Sequence, residues 1–177
     1  METISTNIAE GRFFTNSEDR SGKRVTIIGD GSLYNKAFSL TKASGYLENF
    51  TFLKSIPHNE VLNYYSKSDI YVSANTDGNL INTNLEAISS NCCMIIPFPQ
   101  RKKFIDVKTY QLLRGSVLYY KVNNEGDLAK KILYLLNHPD NIGKFKNKIA
   151  SIKSNFIRTW KERMDEEFFI LKSLINK

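Results

Sequence analysis

The sequence predicts an α/β fold, a doubly wound parallel sheet of about five strands with helices on both faces and a long C-terminal helix. Three observations carry that expectation. Short apolar, β-branched or aromatic runs alternate with stretches of helical periodicity, the connections between them are short, and glycine-bearing turns follow the strand-like runs. Alternation of this kind implies parallel strands joined by right-handed crossovers.

Taken in order, residues 1–23 are polar and punctuated by Gly11 and Gly22, with helix expected only from Thr3 to Ala9; residues 24–177 are expected to form the folded domain. Arg24 to Ile28 reads as the first strand. Ser32 to Ser44 follows as a helix, with Ser32 as its capping residue and Leu33, Ala37, Phe38 and Leu40 broadly on one side. The strand Phe50 to Leu53 precedes a helix over His58 to Lys67, which carries Val61, Leu62, Tyr64 and Tyr65. Ile70 to Val72, Cys93 to Ile96 and Val117 to Tyr120 are the remaining strands, and Asp127 to Leu136 is helical through Leu128, Ile132, Leu133 and Leu136. In the last third, Ile157, Trp160, Met164, Phe168, Leu171 and Ile175 recur at three- and four-residue intervals. Such a stripe needs a surface to cover it, and packing on the domain's own sheet is the expected solution.

With 177 residues, 41% of them hydrophobic, the chain can bury roughly 70% of the surface its unfolded form exposes, as one domain. A net charge of +7 favours anionic partners such as nucleotides, nucleic acid or acidic headgroups without choosing among them. Nucleic acid is not the expected partner, since neither aromatic-basic interleaving nor a helix-turn-helix pattern supports it. The two cysteines, Cys92 and Cys93, are adjacent in an apolar run with no Cys or His at ligand spacing, so neither a disulfide framework nor a metal site is expected. No run has signal-peptide character or membrane-spanning length. A cytoplasmic protein is expected, at most peripheral at the inner membrane face.

The chemistry concentrates where strands give way to helices. Ile27-Ile28-Gly29-Asp30-Gly31-Ser32 sets a glycine turn between strand and helix, suited to close backbone approach by a phosphate or sugar, or serving only as a tight turn. It departs from a dinucleotide fingerprint: Tyr34 stands where a third small residue belongs, and Leu53 and Lys54 stand where an acid would end the next strand. A nicotinamide cofactor is therefore not expected. The second and more informative turn is Asp77-Gly78-Asn79, leading to Asn82-Thr83-Asn84-Leu85-Glu86-Ala87. A helix N-terminus at the carboxyl end of a strand offers free N–H groups to an anion, and Glu86, about one turn further along, can reach a neighbouring pair of sugar hydroxyls. The plainer readings are that Glu86 complements the helix dipole from the first turn, worth about 0.3–1 kcal/mol, and that Asp77-Gly78 is a turn pair. Pro97 to Lys103, with Arg101, Lys102 and Lys103, is a basic loop at the same sheet edge, either solvated or facing a diphosphate or an anionic membrane. His58 at a helix start reads as a cap and His138 as loop; neither has a triad partner.

Together, Val25 to Gly31, Asn49 to Pro57, Tyr64 to Ser73 and Asp77 through Ala87 resemble the donor-binding half of GT-B-fold glycosyltransferases, of the group 1 or family 4 type. The resemblance extends from about Lys23 to the C-terminus, including the Trp160-Lys161-Glu162 helix. It implies a single, Rossmann-like GT-B half that binds a nucleotide-sugar as substrate, with no separate cofactor and no metal, and transfers a hexosyl-type sugar with retention to a glycan or lipid-linked acceptor. Glu86 matches the second acid of the family's E-x7-E signature, which holds the ribose, and Asp77 stands near the first, which faces the donor sugar. Here eight residues separate the two, and an insertion around Gly78-Asn79 accounts for the extra one. The resemblance further implies that Asn82, Thr83 and Asn84 offer amides to the diphosphate, that Gly29, Gly31 and Gly78 line the cleft, and that the loop from Lys54 through Ile56 to Pro57 meets the nucleobase. It also implies an acceptor domain supplied by a companion chain, and it leaves without a counterpart the family's opening strand and its phosphate-contacting Arg and Lys. A non-catalytic nucleotide-binding or interaction module derived from such an enzyme is the alternative.

Overall fold

A computed structural model describes residues 24–75, 80–98 and 107–175. Strands and helices alternate as far as β5 and three helices follow it: β1 (Val25–Ile28), α1 (Tyr34–Ala43), β2 (Phe50–Leu53), α2 (His58–Lys67), β3 (Ile70–Val72), α3 (Asn82–Ser89), β4 (Cys93–Pro97), α4 (Val107–Leu113), β5 (Leu118–Tyr120), α5 (Glu125–Asn137), α6 (Pro139–Ile152) and α7 (Trp160–Ile175). All ladders are parallel, β1 with β2 and β4 between β3 and β5.

The core is built around β4. Its five residues are all buried, because it is hydrogen-bonded on both edges and covered on both faces, which is why Cys93-Met94-Ile95-Ile96 is continuously apolar. Successive side chains point to opposite faces. Met94 and Ile96 pack with Ala87 and Ile88 of α3, Leu113 of α4 and Ile149 of α6, while Cys93 and Ile95 pack with Tyr120, Leu128 and Leu135 on the other face. The two faces are the doubly wound arrangement expected from the alternation.

The five strands are not one ladder among the described residues. They hydrogen-bond as a pair and a triple, and the pair is the thinner part of the molecule: β1 alternates between half-buried and exposed residues, and neither α1 nor α2 holds a buried side chain. Aromatic rings do the packing there, with Phe52 meeting Tyr34 and Phe38 edge to face at centroid distances of 5.8 and 5.3 Å. The expected cap on α1 is displaced by a residue: Leu33 occupies the N-cap position with no side-chain hydrogen bond.

The handover from α3 to β4 is a Schellman-type stop. Asn91 adopts a left-handed φ of 55°, its N–H donates to Ile88 O, and the Cys92 N–H reaches back to Ala87 O at 3.0 Å. The Lys153 ammonium donates to Ser89 O, covering a terminal carbonyl of α3 from the far end of α6.

The last helix departs from expectation. Instead of lying on the sheet, α7 buries no residue; Trp160 is 74% and Phe168 60% exposed. The stripe's inner end does reach the core, where Phe156 and Ile157 pack against the Met94 and Ile149 cluster. Beyond it the helix is held by its own local bonds. Thr159 and Glu162 form a capping box, the Thr159 N–H donating to the Glu162 carboxylate at 2.7 Å and the Glu162 N–H to Thr159 Oγ1 at 3.2 Å. Arg163 pairs with Glu167 one turn on, and Arg158 pairs with Glu166. Helical periodicity announces an apolar face, but only tertiary geometry decides whether the chain's own core is within reach.

Candidate functional site

The carboxyl ends of β3, β4 and β5 are tied together by Ser73. Its N–H donates to Ile95 O at 2.9 Å, its carbonyl accepts the Tyr120 hydroxyl at 2.9 Å, and Asn75 Nδ2 donates to its Oγ at 3.1 Å. Ser73 is buried, so the strand edge that faces the following loop is a fixed platform.

From this platform the chain enters α3, whose start breaks a local rule. Ile81 is the N-cap residue, with extended backbone and no side-chain cap, although an aliphatic residue is among the poorest choices there. The Asn84 and Leu85 N–H groups both donate to Ile81 O, at 2.9 and 3.2 Å. The N–H groups of Asn82 and Thr83 come earlier and stand outside the intrahelical ladder, as first-turn donors do. Uncapped first-turn donors at the carboxyl end of a parallel strand are an anion-binding arrangement.

The side chains of this turn are drawn inward by Tyr71. Its phenol oxygen lies 3.1 Å from Thr83 Oγ1 and 2.9 Å from Asn84 Oδ1, with the Ser73 side chain beside it. A phenol carries one hydrogen and an amide oxygen can only accept, so Tyr71 donates to Asn84 and accepts from the Thr83 hydroxyl. Burial raises the Tyr71 pKa, and the Thr83 and Ser73 hydroxyls beside it oppose the rise. Asn84 is 1% exposed, and its Nδ2 is buried with no partner.

Glu86 is the fifth residue of α3 and so lies past the first turn, where a dipole interaction has largely decayed; the dipole reading therefore does not account for it. Its carboxylate instead faces α2: His58 Nδ1 lies 3.7 Å from Oε1, and the Tyr65 phenol is close enough to feel its charge. Burial foremost, then the neighbouring Tyr71 and Glu86 charges, push the Tyr65 phenol well above its ordinary range. Tyr65 in turn packs edge to face on Tyr71 at 5.6 Å and accepts the Cys92 thiol on its carbonyl at 3.3 Å. His58 does not cap α2, whose N-cap is Pro57 with no side-chain bond; it is the first residue after the Lys54-to-Pro57 loop. The His58–Glu86 contact therefore brings that loop and the acid of α3 to one place.

Gly29 has φ 147°, a conformation L side chains rarely adopt, and a Cβ built on it would meet nothing within 4 Å. The space above this turn is open, and the backbone is anchored by the Gly29 N–H to Leu53 O bond of 2.8 Å. Gly31 O accepts the Tyr34 N–H at 2.9 Å. Lys54 is exposed, its ammonium 5.7 Å above the Tyr34 ring, and Ile56 is half-buried. These contacts run to Leu53 and Tyr34 rather than to α3. Asp77, Gly78 and the basic residues Arg101, Lys102 and Lys103 lie outside the described residues. Among the described residues no three of His, Cys, Asp or Glu cluster as a metal would need, and no helix is long and apolar enough to cross a membrane.

Sequence reasoning missed Tyr65, Tyr71 and Ser73. A tyrosine or a serine beside apolar neighbours reads as packing, and the polar partners come from other elements, 12 and 13 residues later for Tyr71 and 47 later for Ser73.

The model of the family described as glycosyl transferases group 1 matches residues 14–152 of this chain. Among solved structures, the chain is similar to sucrose-phosphate synthase from Thermosynechococcus elongatus, with a TM-score of 0.66 and 13% identity over 85% of this chain and 38% of that one. It is similar also to the C-terminal domain of a glycosyl transferase group 1 family protein from Francisella tularensis, with a TM-score of 0.52 and 20% identity over 72% of this chain and 61% of that one. At these identities the likeness is one of fold. The chain spans less than two thirds of either neighbour's length. Curated proteins returned no match.

Proposed function

Because the chain belongs to the glycosyl transferases group 1 family, we propose that it is the donor-side half of a hexosyltransferase. In this reading it moves a sugar from a nucleotide-sugar to a glycan or lipid-linked acceptor with retained anomeric configuration. The observation that carries the reading is the start of α3: first-turn N–H groups at Asn82 and Thr83, to which the N-cap Ile81 offers no side-chain bond, stand one turn before Glu86, whose carboxylate lies 3.7 Å from His58 Nδ1. The N–H groups take the donor diphosphate, the protein's main contribution to a phosphate-leaving reaction being charge stabilisation. Glu86 takes the ribose hydroxyls, Asp77 faces the donor sugar, and Gly78 lines the cleft with Gly29 and Gly31. Lys54 and Ile56 flank the nucleobase, near enough to Glu86 through His58 for one nucleotide to span both. The nucleotide-sugar is substrate, and the role needs neither a cofactor nor a metal. A companion chain supplies the acceptor side, and the work is done in the cytoplasm, at or near the inner membrane face.

Calorimetric titration of the chain with uridine and guanosine diphosphates tests this. Wild type binds one of them, and Glu86→Ala weakens it by about tenfold, the usual worth of a hydrogen-bonded carboxylate. Equal affinity in the two proteins would dismiss the assignment. The alternative reading is a non-catalytic nucleotide-binding or interaction module. Transfer assays with and without an acceptor-domain chain separate the two: turnover in either arm eliminates the module.

A further inference from the structure

We infer that Tyr71 is a positioning residue that keeps the first-turn N–H groups of α3 free for a diphosphate by holding Thr83 and Asn84 away from them. The inference rests on the donor-site reading of α3. Threonine and asparagine are among the side chains that most readily fold back onto nearby backbone N–H groups, and three stand here, Asn82, Thr83 and Asn84, of which Tyr71 engages the second and third, in a helix whose N-cap residue makes no side-chain bond. Left free, they would occupy the donors an anion needs. Tyr71 prevents this with one oxygen, donating to Asn84 Oδ1 at 2.9 Å and accepting from Thr83 Oγ1 at 3.1 Å. The arrangement leaves Asn84 Nδ2 buried and unpartnered. A turn selected only for stability would place that amide at the cap instead, where its oxygen satisfies a donor and its nitrogen meets water.

The ring of Tyr71 is fixed independently of its hydroxyl, by edge-to-face contact with Tyr65, so Tyr71→Phe removes the bonds and keeps the packing. Titration calorimetry of the full chain with uridine diphosphate, guanosine diphosphate and inorganic pyrophosphate reads the effect. Tyr71→Phe weakens diphosphate binding by about tenfold, as expected when one N–H contact to a charged oxygen is lost to an internal competitor. The double variant Tyr71→Phe/Thr83→Val, which lacks the hydroxyl that would fold back, recovers part of that loss. A purely structural role predicts the opposite order, with the double variant binding more weakly than the single. Wild-type affinity in Tyr71→Phe, or a double variant weaker than the single, overturns the inference while the donor-site reading stands. Absence of binding to all three probes by wild type overturns both.

Discussion

The Tyr120 hydroxyl, at the end of β5, reaches past the end of β4 and donates to the Ser73 carbonyl that follows β3, at 2.9 Å. It joins two strands that share no ladder. Removing it orphans a buried carbonyl. Tyr120→Phe is expected to lower unfolding free energy by about 1–3 kcal/mol, read from urea unfolding.

The same tyrosine sets an alkaline limit. Burial foremost, then the neighbouring Tyr71, pushes the Tyr120 phenol from 10.0 up to about 12. Its contribution is present below pH 10; above that the unfolded chain releases a proton the folded chain keeps, so stability falls as pH rises from 10 towards 12. Ultraviolet titration should show Tyr120 ionising late, and Tyr120→Phe should flatten part of the alkaline decline in stability.

Cys92 and Cys93 should behave as core atoms rather than as thiols. Both are buried, and desolvation, partly opposed by Lys146, pushes them up to about 11 and about 12. Since the thiolate is the reactive form, labelling with a thiol reagent at pH 8 is expected only after denaturant is added, at the rate of unfolding. Prompt labelling in native buffer would mean that β4 opens locally.

The α7 capping box carries its own pH signature. The Thr159 backbone N–H first, and its hydroxyl second, hold the Glu162 carboxyl below the usual 4.5. A depressed folded value means the support is complete above 4.5 and disappears as pH falls through the folded value. Nuclear magnetic resonance should find Glu162 titrating below 4.5, and Thr159→Ala, which keeps the backbone N–H and removes the hydroxyl, should undo part of that depression and fray the helix start.

Core and terminal helix should respond in opposite ways to loss of apolar atoms. Ile95 is 0% exposed and central in β4, so Ile95→Ala should cost about 2–5 kcal/mol. Phe169, 73% exposed on α7, packs on nothing in the core, and Phe169→Ser should change stability by at most ~0.5 kcal/mol. A large loss from Phe169→Ser would show that α7 is covered in solution.

Much of this was legible in the residues themselves. Helix α2 and strands β2 and β3 fall on the expected bounds, and β4 ends one residue later than expected. The site is legible to a lesser degree. Asn82 does open a helix and Glu86 does sit one turn in, whereas the tyrosines beside them come from α2 and β3 and left no local signal.

Local pattern determined where strands and helices form, because burial on both faces writes continuous apolar runs and one-sided burial writes a helical stripe within a few residues of chain. Tertiary structure alone decided that the strands pair as two plus three, that α7 keeps its stripe in solvent, and that Tyr71, Tyr65 and His58 converge on the first turns of α3. Those outcomes depend on contacts between residues from 12 to 28 positions apart. Distance between such residues is set by packing rather than by spacing along the chain.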